Sequence, residues 1–330
     1  MKYIYICLIV VTAILSTSCN DEWKDEQYDQ YISFKAPIND TGVTDIYVRY
    51  KENGEVTYRL PMIVSGSVIN KRDRSVHIAV DTDTLKTLNE ARFGREDLYY
   101  VALENNRYTF PETVHIPAGT STTLLDITFK LDKLDLFKKW VLPISIEDNT
   151  SYNYIGHPRK NYAKALLRVL PFNDYSGKYS STAMQVYIKD KDGSIDKSEA
   201  IATTTRTAYV VDQNTVFFYA GAMDEDLINR DKYKIQFYFD PSDKKMVQIT
   251  AENDKIKLQQ LKETSYTIAE VPDVTRPYLL HRYVTFSVDY EFVDYTSADN
   301  EEIPYYVTGV LTLERNINTQ IPDEDQAVEW

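Results

Sequence analysis

Apolar and polar residues alternate along most of this chain with a period of two, the spacing of a strand that covers one face and wets the other. In RYVTFSVDYEF, Val284, Phe286, Val288, Tyr290 and Phe292 share one face, while Thr285, Ser287, Asp289 and Glu291 share the opposite one. The same reading places strands at 30–34, 44–50, 56–65, 76–80, 113–116, 123–131, 140–147 and 163–170. In the second half it places them at 179–189, 201–212, 215–221, 233–240, 246–252, 282–292 and 305–314. Helical periodicity is confined to DTDTLKTLNEARFGR, Asp81 to Arg95, where Leu85, Leu88 and Ala91 or Arg92 recur every three or four residues before Gly94 stops the run. The predicted fold class is all-β.

Two units follow from the spacing of turns. Seven or eight short strands over residues 30–171 suit an Ig-like β-sandwich with Greek-key links. Turn formers then cluster in PFNDYSGKYS, residues 171–180, and a fresh strand series begins, so the boundary falls there. Residues 172–317 read as an antiparallel meander closing into a lipocalin- or streptavidin-like β-barrel, which removes open edges. Pro143, inside WVLPISIED, is expected to mark an edge or a bulge. The acidic stretch 318–330 is expected to be loosely ordered.

The amino terminus changes where such a protein would live. Lys2 is followed by an apolar run, Tyr3 to Leu15, too short for the roughly 20 residues of a spanning helix. Leu15, Ser16, Thr17 and Ser18 then precede Cys19, and this resembles a relaxed bacterial lipobox. Residues 1–18 are thus expected to be a lipoprotein signal peptide, with Cys19 as the acylated first residue and 19–29 as an acidic linker. Asn20, Asp21 and Glu22 resemble the export signal of Bacteroidetes surface lipoproteins; the plainer alternative is a solvated linker. The expected location is the outer membrane, lipid-anchored and facing outward. Cys7 lies within the leader, so the mature chain would carry no disulfide.

Charge narrows the partners. Thirty-seven Lys and Arg against 50 Asp and Glu leave a net charge of −13, which argues against nucleic acid. A neutral glycan is not repelled. Tyrosine stands at 27 against 12 phenylalanines, and its ring suits both strand packing and sugar stacking.

VHIPAGTSTTLLDITFKLDKL, WVLPISI, PFNDYSGKYS, VFFYAG, LLHRYVTFSVDYEFVDYTS and YYVTGVLTLERN, together with the lipobox, resemble the two-domain lipoproteins of Bacteroidetes polysaccharide-utilisation loci. Those pair an Ig-like domain with a β-barrel-like domain, both of unknown function. The resemblance spans nearly all of residues 19–317 and carries no catalytic or binding residue. It implies a SusE/SusF-like accessory that binds polysaccharide beside a SusC/SusD-type importer.

Candidate chemistry is sparse. His77, His115, His157 and His281 sit in no metal-ligand spacing, and no metal or other cofactor is expected. IKDKDGSIDKSE, Ile188 to Glu199, imitates a calcium loop at Asp190, Asp192, Gly193 and Glu199, but Ile188 cannot ligate at the first position, and a hairpin turn is the simpler reading. Asp289 and Glu291, two apart on one strand face and so roughly 6–7 Å apart, could in principle serve a glycoside hydrolase. With fifty acidic residues such pairs arise freely, and a non-catalytic binder is the leading expectation. Sugar contacts call for aromatics in loops with polar neighbours. Tyr152, Tyr154, Tyr278, Tyr295 and Tyr306 qualify, with Arg276 and Asp294 as polar partners; Trp140 reads as core or rim before sugar platform. An adhesin or protein-assembly module is the rival function.

Overall fold

A computed structural model describes residues 25–52, 54–242, 244–298, 301–323 and 325–329. The leader, Cys19 and the acidic residues after it lie outside the described residues. No helix among the described residues is long and apolar enough to cross a membrane.

The first domain holds β1 Tyr31–Phe34, β2 Thr44–Arg49, β3 Glu55–Val64, β4 Arg74–Val80, β5 Tyr100–Ala102, β6 Tyr108–Thr109, β7 Thr113–Ile116, β8 Thr122–Lys130, β9 Lys139–Ile146, β10 Ile155–Gly156 and β11 Lys164–Phe172. They form two facing sheets, ordered β10-β1-β3-β8-β6 and β2-β11-β9-β4-β7, with β5 added to β9. The alternation seen in sequence supplies the core between them: Leu125, Ile127 and Phe129 of β8 and Leu142 and Ile144 of β9 are fully buried. Helix α1, Thr82–Arg92, lies outside this core. Asp81 caps it, Oδ1 accepting from Thr84 N–H at 3.0 Å, and Leu85 packs with Val43, Tyr100, Val141 and Leu166.

Pro143 corrects an expectation. It sits in β9, an interior strand bonded to β11 on one side and, on the other, to β5 at residues 139–141 and to β4 at 144–146. Its carbonyl accepts from Asp81 N–H at 3.0 Å on that second side, so the missing N–H faces the gap where one partner strand hands over to the next.

The second domain holds β12 Gly177–Ile188, β13 Ile201–Ala202, β14 Thr205–Val210, β15 Thr215–Tyr219, β16 Lys234–Phe239, β17 Met246–Ala251, β18 Gln259–Gln260, β19 Thr264–Pro272, β20 Leu279–Asp294, β21 Ile303–Asn318 and β22 Val328–Glu329. The order β12-β14-β15-β16-β17-β19-β20-β21 closes on itself through β12–β21, an antiparallel barrel of eight strands. Its interior is occupied by rings: Phe286 meets Tyr179 at 5.5 Å, Phe237 at 5.7 Å and Phe239 at 5.2 Å between centroids. Closure requires a glycine. At Gly309, φ is +136°, and a Cβ would stand 2.2 Å from the Ala183 carbonyl oxygen, beside the bulge in β12.

The join between the domains is buried. Asn173, Tyr175 and Ser176 are each under 8% exposed, and Asn173 Nδ2 donates to the carbonyls of Asp212 at 2.7 Å and Thr215 at 3.3 Å. The described part of the acidic tail is also held, contrary to the expectation of loose order. Val328 and Glu329 pair with Ile317 and Asn316, Ala327 is buried, and Asp325 pairs with Arg49 of the sandwich. What sequence alone hides here is the second partner, since Arg49 lies far back along the chain.

Candidate functional site

Where the two domains meet, β2, β9 and β11 of the sandwich face β12, β14, the loop after β15 and the far end of β21. The seam encloses a cavity of about 510 Å³. Its aromatic wall includes Tyr47, Trp140, Tyr209 and Tyr219. Tyr209 stacks on Phe217 at 4.9 Å and donates its hydroxyl to Glu225 Oε2 at 2.9 Å. Burial, with Glu225 adding to it, raises the Tyr209 phenol well above its ordinary range, so it is a neutral donor at any physiological pH.

The charged lining is mostly engaged across the seam. Arg230, 2% exposed, donates to the Asp97 carbonyl at 2.7 Å and lies 4.5 Å above the Phe137 ring. Lys139 reaches Glu225, Nζ to Oε1 4.0 Å, and burial lowers its ammonium pKa from the usual lysine value. Beyond the lining, Arg95 donates to the Asp226 carbonyl at 2.6 Å and Lys234 pairs with Asp135 at 3.3 Å, further contacts between the domains. Arg168 differs. It is half-buried on β11, its Nε is buried with no acceptor, and among the described residues no hydrogen bond or ion pair reaches its guanidinium. Its register partner on β2, Asp45, instead turns Oδ2 to Asn39 Nδ2 at 2.9 Å and leaves Oδ1 buried and unpaired. The Arg230 Nε is also buried without an acceptor. With Asn316 Oδ1, four orphaned polar atoms thus belong to residues that line one cavity, where an interior would normally satisfy them.

The residues singled out from sequence are spread over three other places. Tyr152 and Tyr154 line a separate cavity of about 450 Å³ in the sandwich. There Tyr152 stacks on His77 at 4.1 Å, while Tyr154 is 3% exposed, accepts from His77 N–H at 3.0 Å and donates to the Glu147 carbonyl at 2.8 Å. Arg276 and Tyr278 sit at the β19–β20 turn, where Arg276 bonds Asp273 at 3.2 Å. Asp294 and Tyr295 are at the opposite end of β20, about 50 Å away along the strand. Asp294 is 1% exposed and its carboxylate accepts from Tyr233 and from Thr296 N–H at 2.8 Å, so it organises the turn and offers nothing outward. Tyr295 receives Asn253 Nδ2 at 3.0 Å, and Tyr306 stacks loosely on Tyr187 at 6.2 Å. Trp140 is 6% exposed, with Nε1 donating to the Asp135 carbonyl at 2.8 Å.

The acidic pair is occupied. Asp289 is 5% exposed, not on a wet face, and bonds Lys262 Nζ at 2.6 Å; Glu291 bonds Lys189 Nζ at 2.6 Å. The calcium-like loop is a hairpin, with Asp190 N–H donating to the Ser194 carbonyl at 2.9 Å and Gly193 at φ +84°.

Comparison with known proteins adds the relationship. A domain-of-unknown-function model, DUF4973, matches residues 23–150, and a model described only as a C-terminal domain matches 163–312. A Bacteroides ovatus structure of unknown function is 50% identical, covering 91% of this chain and 100% of its own, with a TM-score of 0.83. A Bacteroides thetaiotaomicron structure described as an auxiliary nutrient binding protein is 43% identical over 92% and 100% of the two chains, with a TM-score of 0.82. The chain belongs to this Bacteroides two-domain family, DUF4973 followed by its C-terminal partner domain. No curated protein matches it.

Within the DUF4973 family architecture, the seam cavity could not be read from any short motif, because its lining comes from segments as distant as Tyr47 and Glu329. One signal was available: KALLRVLPF places a lone arginine inside an otherwise apolar buried strand.

Proposed function

We propose that this chain is a non-catalytic, lipid-anchored protein of the outer cell surface that captures glycan for uptake by a polysaccharide-utilisation system, and that the ligand enters the seam cavity. The observation that carries the reading is the cavity itself: aromatic faces from both domains beside buried polar atoms that lack partners, at the kind of inter-domain position where small-molecule sites concentrate. The relative described as an auxiliary nutrient binding protein supports an accessory role. The lysines bonded to Asp289 and Glu291 favour binding over hydrolysis, since neither carboxylate is free to act as acid or nucleophile.

Affinity electrophoresis and calorimetry against a broad polysaccharide panel test this. Binding weakened at least tenfold by Tyr209→Ala supports it; absence of binding across the panel, with a stable protein partner recovered from the cell surface, favours the adhesin reading. Anchoring is tested separately: labelled palmitate should enter the wild type and not Cys19→Ala, and whole-cell protease should shave the protein.

A further inference from the structure

The net charge of −13 makes the seam unusual, because six cationic side chains line it against four anionic ones. Arg230 and Lys139 have counter-charges, Asp97 at 3.3 Å and Glu225 at 4.0 Å. Arg168 has none, and its nearest register neighbour Asp45 is drawn away by Asn39. A half-buried guanidinium with an orphaned Nε is costly unless something supplies an acceptor. Its five donors in a planar fork match a carboxylate or a sulfate bidentately. A neutral hydroxyl would satisfy only one of them.

We infer that the seam cavity selects an acidic saccharide, with Arg168 holding the anionic group while Tyr47 and Tyr209 offer ring faces to the sugar. The inference rests on the proposed glycan capture and narrows it to one chemical class. The cavity, about 510 Å³, has room for one or two sugar rings, consistent with recognition of a chain end or a branch. Lys139, largely buried and only loosely met by Glu225, adds a further positive charge in the same lining.

The test is calorimetry with oligogalacturonate, oligomannuronate and chondroitin sulfate oligosaccharides, each beside its methyl-esterified or desulfated form, and with neutral oligosaccharides as a third arm. The expected result is binding of at least one acidic oligosaccharide, weakened tenfold or more by esterification or desulfation and by Arg168→Gln, and falling as salt rises. Which acidic arm binds separates carboxylate from sulfate. Arg168→Gln removes no hydrogen bond or ion pair among the described residues and loses only the guanidinium's 5.9 Å approach to the Tyr100 ring, so its melting temperature should lie close to that of the wild type and certify the fold. Arg168→Lys keeps the charge without the fork and should recover only part of the affinity. Binding of neutral oligosaccharides alone, unchanged by Arg168→Gln, overturns the inference and leaves glycan capture standing. No binding in any arm overturns both.

Discussion

Lys139 Nζ lies 4.0 Å from Glu225 Oε1 across the seam, joining a sandwich strand to a barrel loop. The two ends are unequal: the Lys139 side chain is 12% exposed and that of Glu225 is 40% exposed. Burial lowers the lysine pKa, with Glu225 opposing the shift. The folded state therefore binds fewer protons than the unfolded chain between that lowered value and the usual ~10.4, and stability rises with pH across the interval. Glu225→Gln should destabilise by about 1–2 kcal/mol by leaving the lysine unpaired, and Lys139→Met by less than about 1 kcal/mol, measured by denaturant unfolding. Equal losses would contradict this.

The barrel closes only because residue 309 has no side chain. Gly309→Ala places a methyl group against backbone at 2.2 Å from the Ala183 oxygen and asks an L-residue for φ +136°. A loss of at least about 2 kcal/mol is expected, centred on the β12–β21 pairing. Hydrogen exchange should show those amides, Met184 to Ile188, losing protection first; uniform loss over both domains would count against a local cause.

The hairpin tip responds to pH through His281. Its Nε2 is 3.1 Å from Asp273 Oδ2 and its Nδ1 2.9 Å from Glu314 Oε1, and the Asp273 bond in particular raises the imidazole pKa. Asp273 is in turn held well below the usual carboxylate range by Thr275, Arg276 and His281. The imidazolium contribution is complete below the unfolded histidine value of ~6.5 and is lost as pH rises through the raised folded value. The Asp273 contribution is present above ~3.9 and is lost as pH falls through its depressed value. Protection of the β19–β20 tip should thus peak from about pH 4 to 6.5 and decline above it, and His281→Gln should abolish that decline. NMR titration of the imidazole reads it directly.

Much of the fold was legible because strand alternation is local. Phe286, Val288 and Tyr290 were assigned to the dry face, and each is 3% exposed or less. β19 escaped because TSYTIAEVP buries only Thr264 and Tyr266; its role is to hydrogen-bond β17 to β20, which no periodicity records. The site was less legible for a related reason. Tyr154 and Asp294 read as loop residues with functional side chains, yet the hydroxyl of one is held by His77 N–H and the carboxylate of the other by the Tyr233 hydroxyl, groups that only the folded chain brings near. Arg168 carries little signal in sequence, since its meaning depends on a buried Nε without an acceptor, which is a tertiary fact.

The buried join makes a further prediction. Asn173→Ala takes from a 2% exposed side chain the Nδ2 donor to the Asp212 carbonyl and the Oδ1 acceptor of Tyr175 N–H, while the Thr215 oxygen keeps the N–H groups of Val211 and Asp212. A cost of about 1–3 kcal/mol is expected. If the seam is the binding site, affinity should fall along with it, since the two walls are positioned by this residue. Unchanged affinity in a stably folded variant would place the ligand elsewhere.

The most direct measurement is a crystal structure with the oligosaccharide chosen by the binding panel. The account predicts sugar density in the seam, between Tyr47 and Tyr209, with an anionic group within hydrogen-bond reach of the Arg168 guanidinium. Density confined to the Tyr152 cavity or to the Tyr278 turn, with the seam holding only water, would contradict it.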